Sequence, residues 1–148
     1  MLPVKTKLNR INRLKKLQQV HVQNEQQKLH ASMLEREQKQ NVFEQQRAQL
    51  SRVEEQVNKY FSGDNLSPVL MAGAGGLVNR EHTQCQHAQE QLREAEEVMD
   101  IAISGYIDSK KNLGWLEERK EAYQKEFNLE IDKRELEQIS QLRGYRGR

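Results

Sequence analysis

The chain has 148 residues, the size of one domain, yet only 35% of them are apolar, 31% are charged and the mean hydropathy is −0.99. A compact domain of this length draws roughly half its residues from the apolar set, so a globular core is excluded and a narrow two-sided seam is the core on offer. The net charge of +2 is too small, and the apolar spacing too regular, for a chain held disordered by its own charge.

The first element predicted is a helix from about residue 4 to residue 61. A period-seven track runs Leu8, Val22, Leu29, Phe43, Leu50, Val57, broken by Lys15 and Arg36. Its companion track is taken four residues on, where Met33 and Phe61 fit but Gln26, Gln40, Arg47 and Glu54 do not. This helix therefore needs a better seam beside it. Near its start Ile11, Leu14, Leu17 and Val20 step by threes, predicting a wider apolar face there. Lys5, Lys7, Arg10, Arg13, Lys15 and Lys16 lie in the first twenty residues with no acid among them.

The break comes at Ser62-Gly63-Asp64-Asn65-Leu66-Ser67-Pro68, a density of turn formers that reverses a chain. The apolar, glycine-rich stretch 69–78 follows, and the tip is predicted to span residues 62–78 as a flexible connection. Leu66, Val69, Leu70, Met71, Leu77 and Val78 cannot all be buried at the end of a two-helix hairpin, which marks the tip as a partner-contacting surface.

Asn79 is the expected cap of a second helix running to about residue 142, where Gly144 and Gly147 end it. This helix carries the strongest signal in the chain. Cys85, Ala88, Leu92, Ala95, Met99, Ala102, Tyr106, Leu113, Leu116, Tyr123 and Phe127 step by threes and fours, interrupted only at Ser109 and Lys120. Such steps average 3.5 residues, the period that keeps one seam against a partner helix. The fold expected is all-α: two long helices in an antiparallel coiled-coil hairpin forming one domain over 1–148, with arms of ~55 and ~65 residues and a rod of about 80–100 Å. Antiparallel arms bring the basic start together with Arg143, Arg146 and Arg148, while the shaft carries the acidic groups Glu90, Glu94, Glu96, Glu97, Asp100 and Glu117, Glu118, Glu121.

Chemistry finds little support. Gly73-Ala74-Gly75-Gly76 lacks the Lys-Ser/Thr of a phosphate loop and no strand precedes it. His82 and Cys85 share a helix face, but His87 points about 140° from Cys85, so the three do not converge on a metal. Cys85 is the only cysteine, which leaves no intrachain disulfide. A thin rod offers no water-excluding pocket for a catalytic set, so no enzyme activity, cofactor or metal is expected. No apolar run approaches the ~20 residues of a membrane span, and Met1-Leu2-Pro3-Val4-Lys5 does not read as a secretory signal. Sparse aromatics and an acidic shaft argue against nucleic acid as a partner. A basic end fits an acidic protein surface better.

This layout resembles the FliJ/YscO family, the central stalk proteins of flagellar and type III secretion export ATPases. It pairs a basic amphipathic start, a long Gln/Glu-rich helix, a tip near residue 70 and a second helix. The stretch from Tyr106 through Trp115 to Lys120, followed by Asp132-Lys133-Arg134-Glu135, has the family's texture. The resemblance covers essentially the whole chain and rests on layout. It implies an antiparallel coiled coil similar to the gamma stalk of rotary ATP synthases, acting in the bacterial cytoplasm at the secretion apparatus. The implied partners are a hexameric export ATPase, the cytosolic domain of the export gate and export chaperones. Arg10, Arg13, Lys15, Lys16, Arg134 and Arg143 would contact the ATPase, and the segment 78–99 would face the gate. No individual gate-contacting residue is carried over.

Two other readings stand beside this one. The first is a coiled-coil scaffold or chaperone escort that tethers two partners without an ATPase. The second is a homodimer pairing the backs of the helices through Ile103, Ile107, Leu129 and Ile131, against the expectation of a monomer in isolation.

Overall fold

The computed structural model describes residues 3–63 and 67–146, with side chains described as far as residue 144. Two helices make up the fold: α1, Pro3–Phe61, and α2, Pro68–Arg146. No strand occurs among the described residues. The helices pack against each other as an antiparallel coiled-coil hairpin. Its residues group into two compact units, one formed by the chain up to Gln26 with the chain from Gly105 onward, the other Gln27–Ser104.

In the first unit Val4, Leu8, Ile11 and Leu116 form a buried cluster, with Tyr123 and Phe127 packed on it. The Lys7 ammonium lies 5.7 Å from the centre of the Tyr123 ring. Gln18 Nε2 donates to the Ser109 carbonyl across the seam at 3.0 Å. The partners 7 with 123 and 18 with 109 count in opposite directions, which fixes the antiparallel sense within this unit. In the second unit Val53, Ala88, Leu92 and Ala95 are buried. There Arg36 approaches Glu96 at 3.7 Å and His82 approaches Glu54 at 3.2 Å, again antiparallel.

The burial pattern of α2 reproduces the predicted stripe. Every member from Cys85 to Phe127 is buried or half-buried, and Ser109 and Lys120, the two interruptions, also turn inward. The inward track begins earlier than predicted, at Ala74, Val78 and Glu81, and its last member is Glu130. Residues 131–144 remain helical with every side chain exposed; among the described residues none of α1 covers them.

Three expectations are corrected. The companion track of α1 lies mainly three residues after the first rather than four: Val4, Ile11, Gln18, Glu25, Ser32, Lys39, Gln46 and Val53 are buried or half-buried, whereas of the two residues expected to fit the other track Met33 is 52% exposed and Phe61 is half-buried. The stepping by threes near the start does not widen the buried face, since Leu14, Leu17 and Val20 are all exposed. A period of three drifts off a seam whose period is 3.5.

The third correction concerns the tip. Residues 68–78 are helical, and α2 starts at Pro68 rather than at Asn79. Proline suits the first helical position, since its φ is already helical and its missing N–H would be unpaired there. Ser67 precedes it as the cap, and its carbonyl accepts from Met71 N at 3.0 Å. Gly73, Gly75 and Gly76 sit within this helix at negative φ. Each costs roughly 1 kcal/mol relative to alanine, which a long cooperative helix absorbs. At its other end α2 continues through Gly144 to Arg146, beyond the expected limit of 142.

Candidate interaction surfaces

Three sets of residues were singled out by sequence, and each takes a definite place. The seam residues Cys85, Leu92, Met99, Tyr106, Leu113, Leu116, Tyr123 and Phe127 all face inward. They build the hairpin and are not free to meet another molecule.

The basic set is divided. Arg10, Arg13 and Lys16 are exposed and spread around the outward half of α1. Lys15 occupies an inward position instead, its side chain 24% exposed and its ammonium 3.9 Å from a Glu117 carboxylate oxygen. The period-seven track Leu8, Lys15, Val22 predicted that placement, but sign of charge alone had grouped Lys15 with its neighbours. Arg134 and Arg143 are exposed in the stretch 131–144, whose side chains are all exposed. Arg134 continues the inward column of α2 seven residues after Phe127. All six cations belong to the first unit. Arg146 and Arg148 carry no described side chain.

The tip set belongs to the second unit. Val69, Leu70, Met71 and Leu77 are 79%, 47%, 49% and 44% exposed, while Val78 is half-buried on the inward track. Leu66 lies outside the described residues. From Ser67 to Asn79 there is no charged residue. An open groove of ≈ 360 Å³ runs between Val53, Val57 and Phe61 on α1 and Val69, Leu70 and Leu77 on α2. Gly73 helps to leave this groove unfilled, since a Cβ there would meet no atom within 4 Å. The Tyr60 and Phe61 rings meet edge to face at 5.6 Å beside it.

The acidic cluster is less negative than its sequence suggests. Arg93 donates to Glu90 at 2.6 Å and to Glu97 at 2.9 Å. The hydrogen bond to Glu90, then the charges of Glu90 and Glu97, hold the Arg93 guanidinium above its usual range. Arginine is already protonated in water, so this shift adds no pH dependence near neutrality. Arg36 compensates part of the Glu96 charge across the seam. Glu94 and Asp100 are exposed on the same helix.

The surfaces that sequence reasoning missed are two. One is Trp115, 54% exposed on the outer face of α2, with the Arg119 guanidinium 4.6 Å above its ring. The other is the exposed apolar set of the stretch 131–144, Leu136, Ile139 and Leu142. Both come into view once a column of residues other than the inward one is traced. Among the described residues no group of three or more His, Cys, Asp or Glu is placed to hold a metal ion, and no helix is long and apolar enough to cross a membrane. No protein-family model, curated protein or solved structure matches this chain.

Proposed function

We propose that this chain is the non-enzymatic central stalk of a type III secretion or flagellar export ATPase. In this reading the paired termini enter the hexamer, promote its assembly and hydrolysis, and link it to the export gate. The observation that carries the reading is the first unit. Its α1 surface presents Arg10, Arg13 and Lys16 to solvent, and α2 presents Arg134 and Arg143 in the same unit. The layout shared with the FliJ/YscO family supplies the partner.

The mechanism is mechanical and electrostatic. Two unlike helices within a six-fold ring touch successive subunits differently, so binding energy is distributed unequally among six otherwise equivalent sites. Cations around the outward half of α1 draw the chain towards an acidic pore and orient it there. Lys15 is left out of this contact set, because its charge is turned towards Glu117. The uncharged tip, with Val69, Leu70, Met71 and Leu77, is the surface offered to the gate's cytosolic domain and to export chaperones at the cytoplasmic face of the apparatus.

The test is hydrolysis by the export ATPase of the same genome, followed together with hexamer formation as the chain is titrated in. Stimulation saturating near one chain per six subunits is expected. Saturation at one chain per subunit, or no stimulation of a competent ATPase, would replace the stalk with a tethering coiled coil.

A further inference from the structure

Beyond the inward seam, α2 carries a second apolar column in the first unit. Counting two residues on from the inward positions 113, 120 and 127 turns roughly 200° around the helix. It reaches Trp115, Ala122 and Leu129, and Leu136 continues the column at the same interval of seven. All four are exposed, with Trp115, Leu129 and Leu136 at 54%, 63% and 66%. The column spans three heptad intervals, about 32 Å of helix, with one apolar residue in each turn of the repeat and charged residues on both flanks.

Its flanks are charged in a regular order. On one side stand Arg119, Glu126 and Lys133; on the other Glu118, Lys125 and Asp132. The signs alternate along each flank and oppose each other across the column. Among the described residues Glu118, Lys125, Glu126, Asp132 and Lys133 enter no ion pair. Arg119 lies over the Trp115 ring and donates to the Tyr123 hydroxyl at 3.3 Å, which holds its guanidinium at the edge of the column.

We infer that this column is the interface with a second copy of the chain, packed parallel and in register along α2. In a parallel two-fold pair each flank meets the opposite flank of the partner at nearly the same height. Arg119 then faces the partner's Glu118, Glu126 faces the partner's Lys125, and Lys133 faces the partner's Asp132, each contact occurring twice. All four apolar layers are matched at the same time. The antiparallel arrangement that also matches four layers sets Arg119 against Lys133, Glu126 against itself, Glu118 against Asp132 and Lys125 against itself. Every one of those contacts is repulsive, and sliding the helices by a heptad to relieve them forfeits an apolar layer. The inference concerns the free chain and does not rest on the stalk reading, under which the pair separates before one chain enters the hexamer.

Sedimentation equilibrium on the full chain tests it. A mass of twice the 17.4 kDa of one chain is expected at tens of micromolar. Leu129→Glu with Leu136→Glu should give a monomer of unchanged helicity, since both residues are exposed within the single chain. Reversing one flank (Arg119→Glu, Glu126→Lys, Lys133→Glu) should also give a monomer, as should reversing the other (Glu118→Lys, Lys125→Glu, Asp132→Lys). Mixing the two reversed chains should restore a heterodimer. Orientation is read from Leu136→Cys in a Cys85→Ser background, which should cross-link to itself on mild oxidation; antiparallel registers keeping three or more layers place residue 136 opposite 108, 115 or 122. A wild-type monomer at 100 μM, a dimer indifferent to the leucine changes, failure of the mixed chains to pair, or no self-cross-link each overturns the inference.

Discussion

Ser109, at 2% exposure, is buried in the mainly apolar inward track of α2. Its hydroxyl donates to its own helix at the Tyr106 carbonyl, 2.7 Å away, and its carbonyl takes the Gln18 amide. A small residue lets α1 approach closely here, and the satisfied hydroxyl removes most of the cost of burying it. Ser109→Leu should therefore destabilise rather than repair the seam, by about 1–3 kcal/mol of overpacking, read as a lower urea midpoint. Two glycines make a second comparison. A Cβ at Gly114 meets no atom within 4 Å, whereas one at Gly105 would lie 2.7 Å from Glu25 Oε2. Gly114→Ala should raise stability by up to ~1 kcal/mol through helix propensity alone. Gly105→Ala must first displace the Glu25 carboxylate and should gain less; equal gains in thermal midpoint would show that the contact is immaterial.

At the scale of the element, the two helices are unequal contributors to one seam. The inward track of α2 is mainly apolar, while that of α1 has Lys15, Gln18, Glu25, Ser32, Arg36, Lys39 and Gln46 in its middle. Some of these groups are unsatisfied: Arg36 Nε, Gln46 Oε1 and, on α2, Glu81 Oε2 are buried without a hydrogen-bond partner. Each such atom costs on the order of 1–3 kcal/mol. Glu81→Leu removes one of them and adds apolar surface to an inward position, so a gain of about 1–2 kcal/mol in unfolding free energy is expected from chemical denaturation. An unchanged or lower midpoint would mean that the carboxylate is held favourably. The persistence of α2 through its glycines has the same origin as its length. Once nucleated, a helix extends at little cost per residue, and no proline follows Pro68 to stop it.

At the scale of the whole molecule, charge rather than apolar area distinguishes the surfaces. A net charge of +2 conceals a start without acids and an uncharged stretch from Ser67 to Asn79. The stalk reading predicts that Arg10→Glu with Lys16→Glu abolishes ATPase stimulation while circular dichroism is unchanged, because both side chains are exposed and neither supports the seam. Full stimulation by the folded double variant would remove the basic start from the ATPase contact. Lys15→Gln is the control, expected to leave stimulation nearly intact since that ammonium faces Glu117.

Helical hairpin architecture was legible in the spacing of side chains because a 3.5-residue period has one physical use, to hold two helices face to face. The column from Cys85 to Phe127 could be read directly, since its residues are nearly all apolar and contrast sharply with their charged and amide neighbours. The companion column of α1 could not, because Gln18, Glu25, Ser32, Lys39 and Gln46 are inward only by virtue of what stands opposite them. The same dependence decided that Lys15 is paired rather than presented, and that residues 131–144 are exposed among the described residues. Glycine and proline at residues 68–76 read as a flexible tip when weighed locally. In the folded chain they are the first turns of a long helix, since local propensities of about 1 kcal/mol yield to cooperative extension.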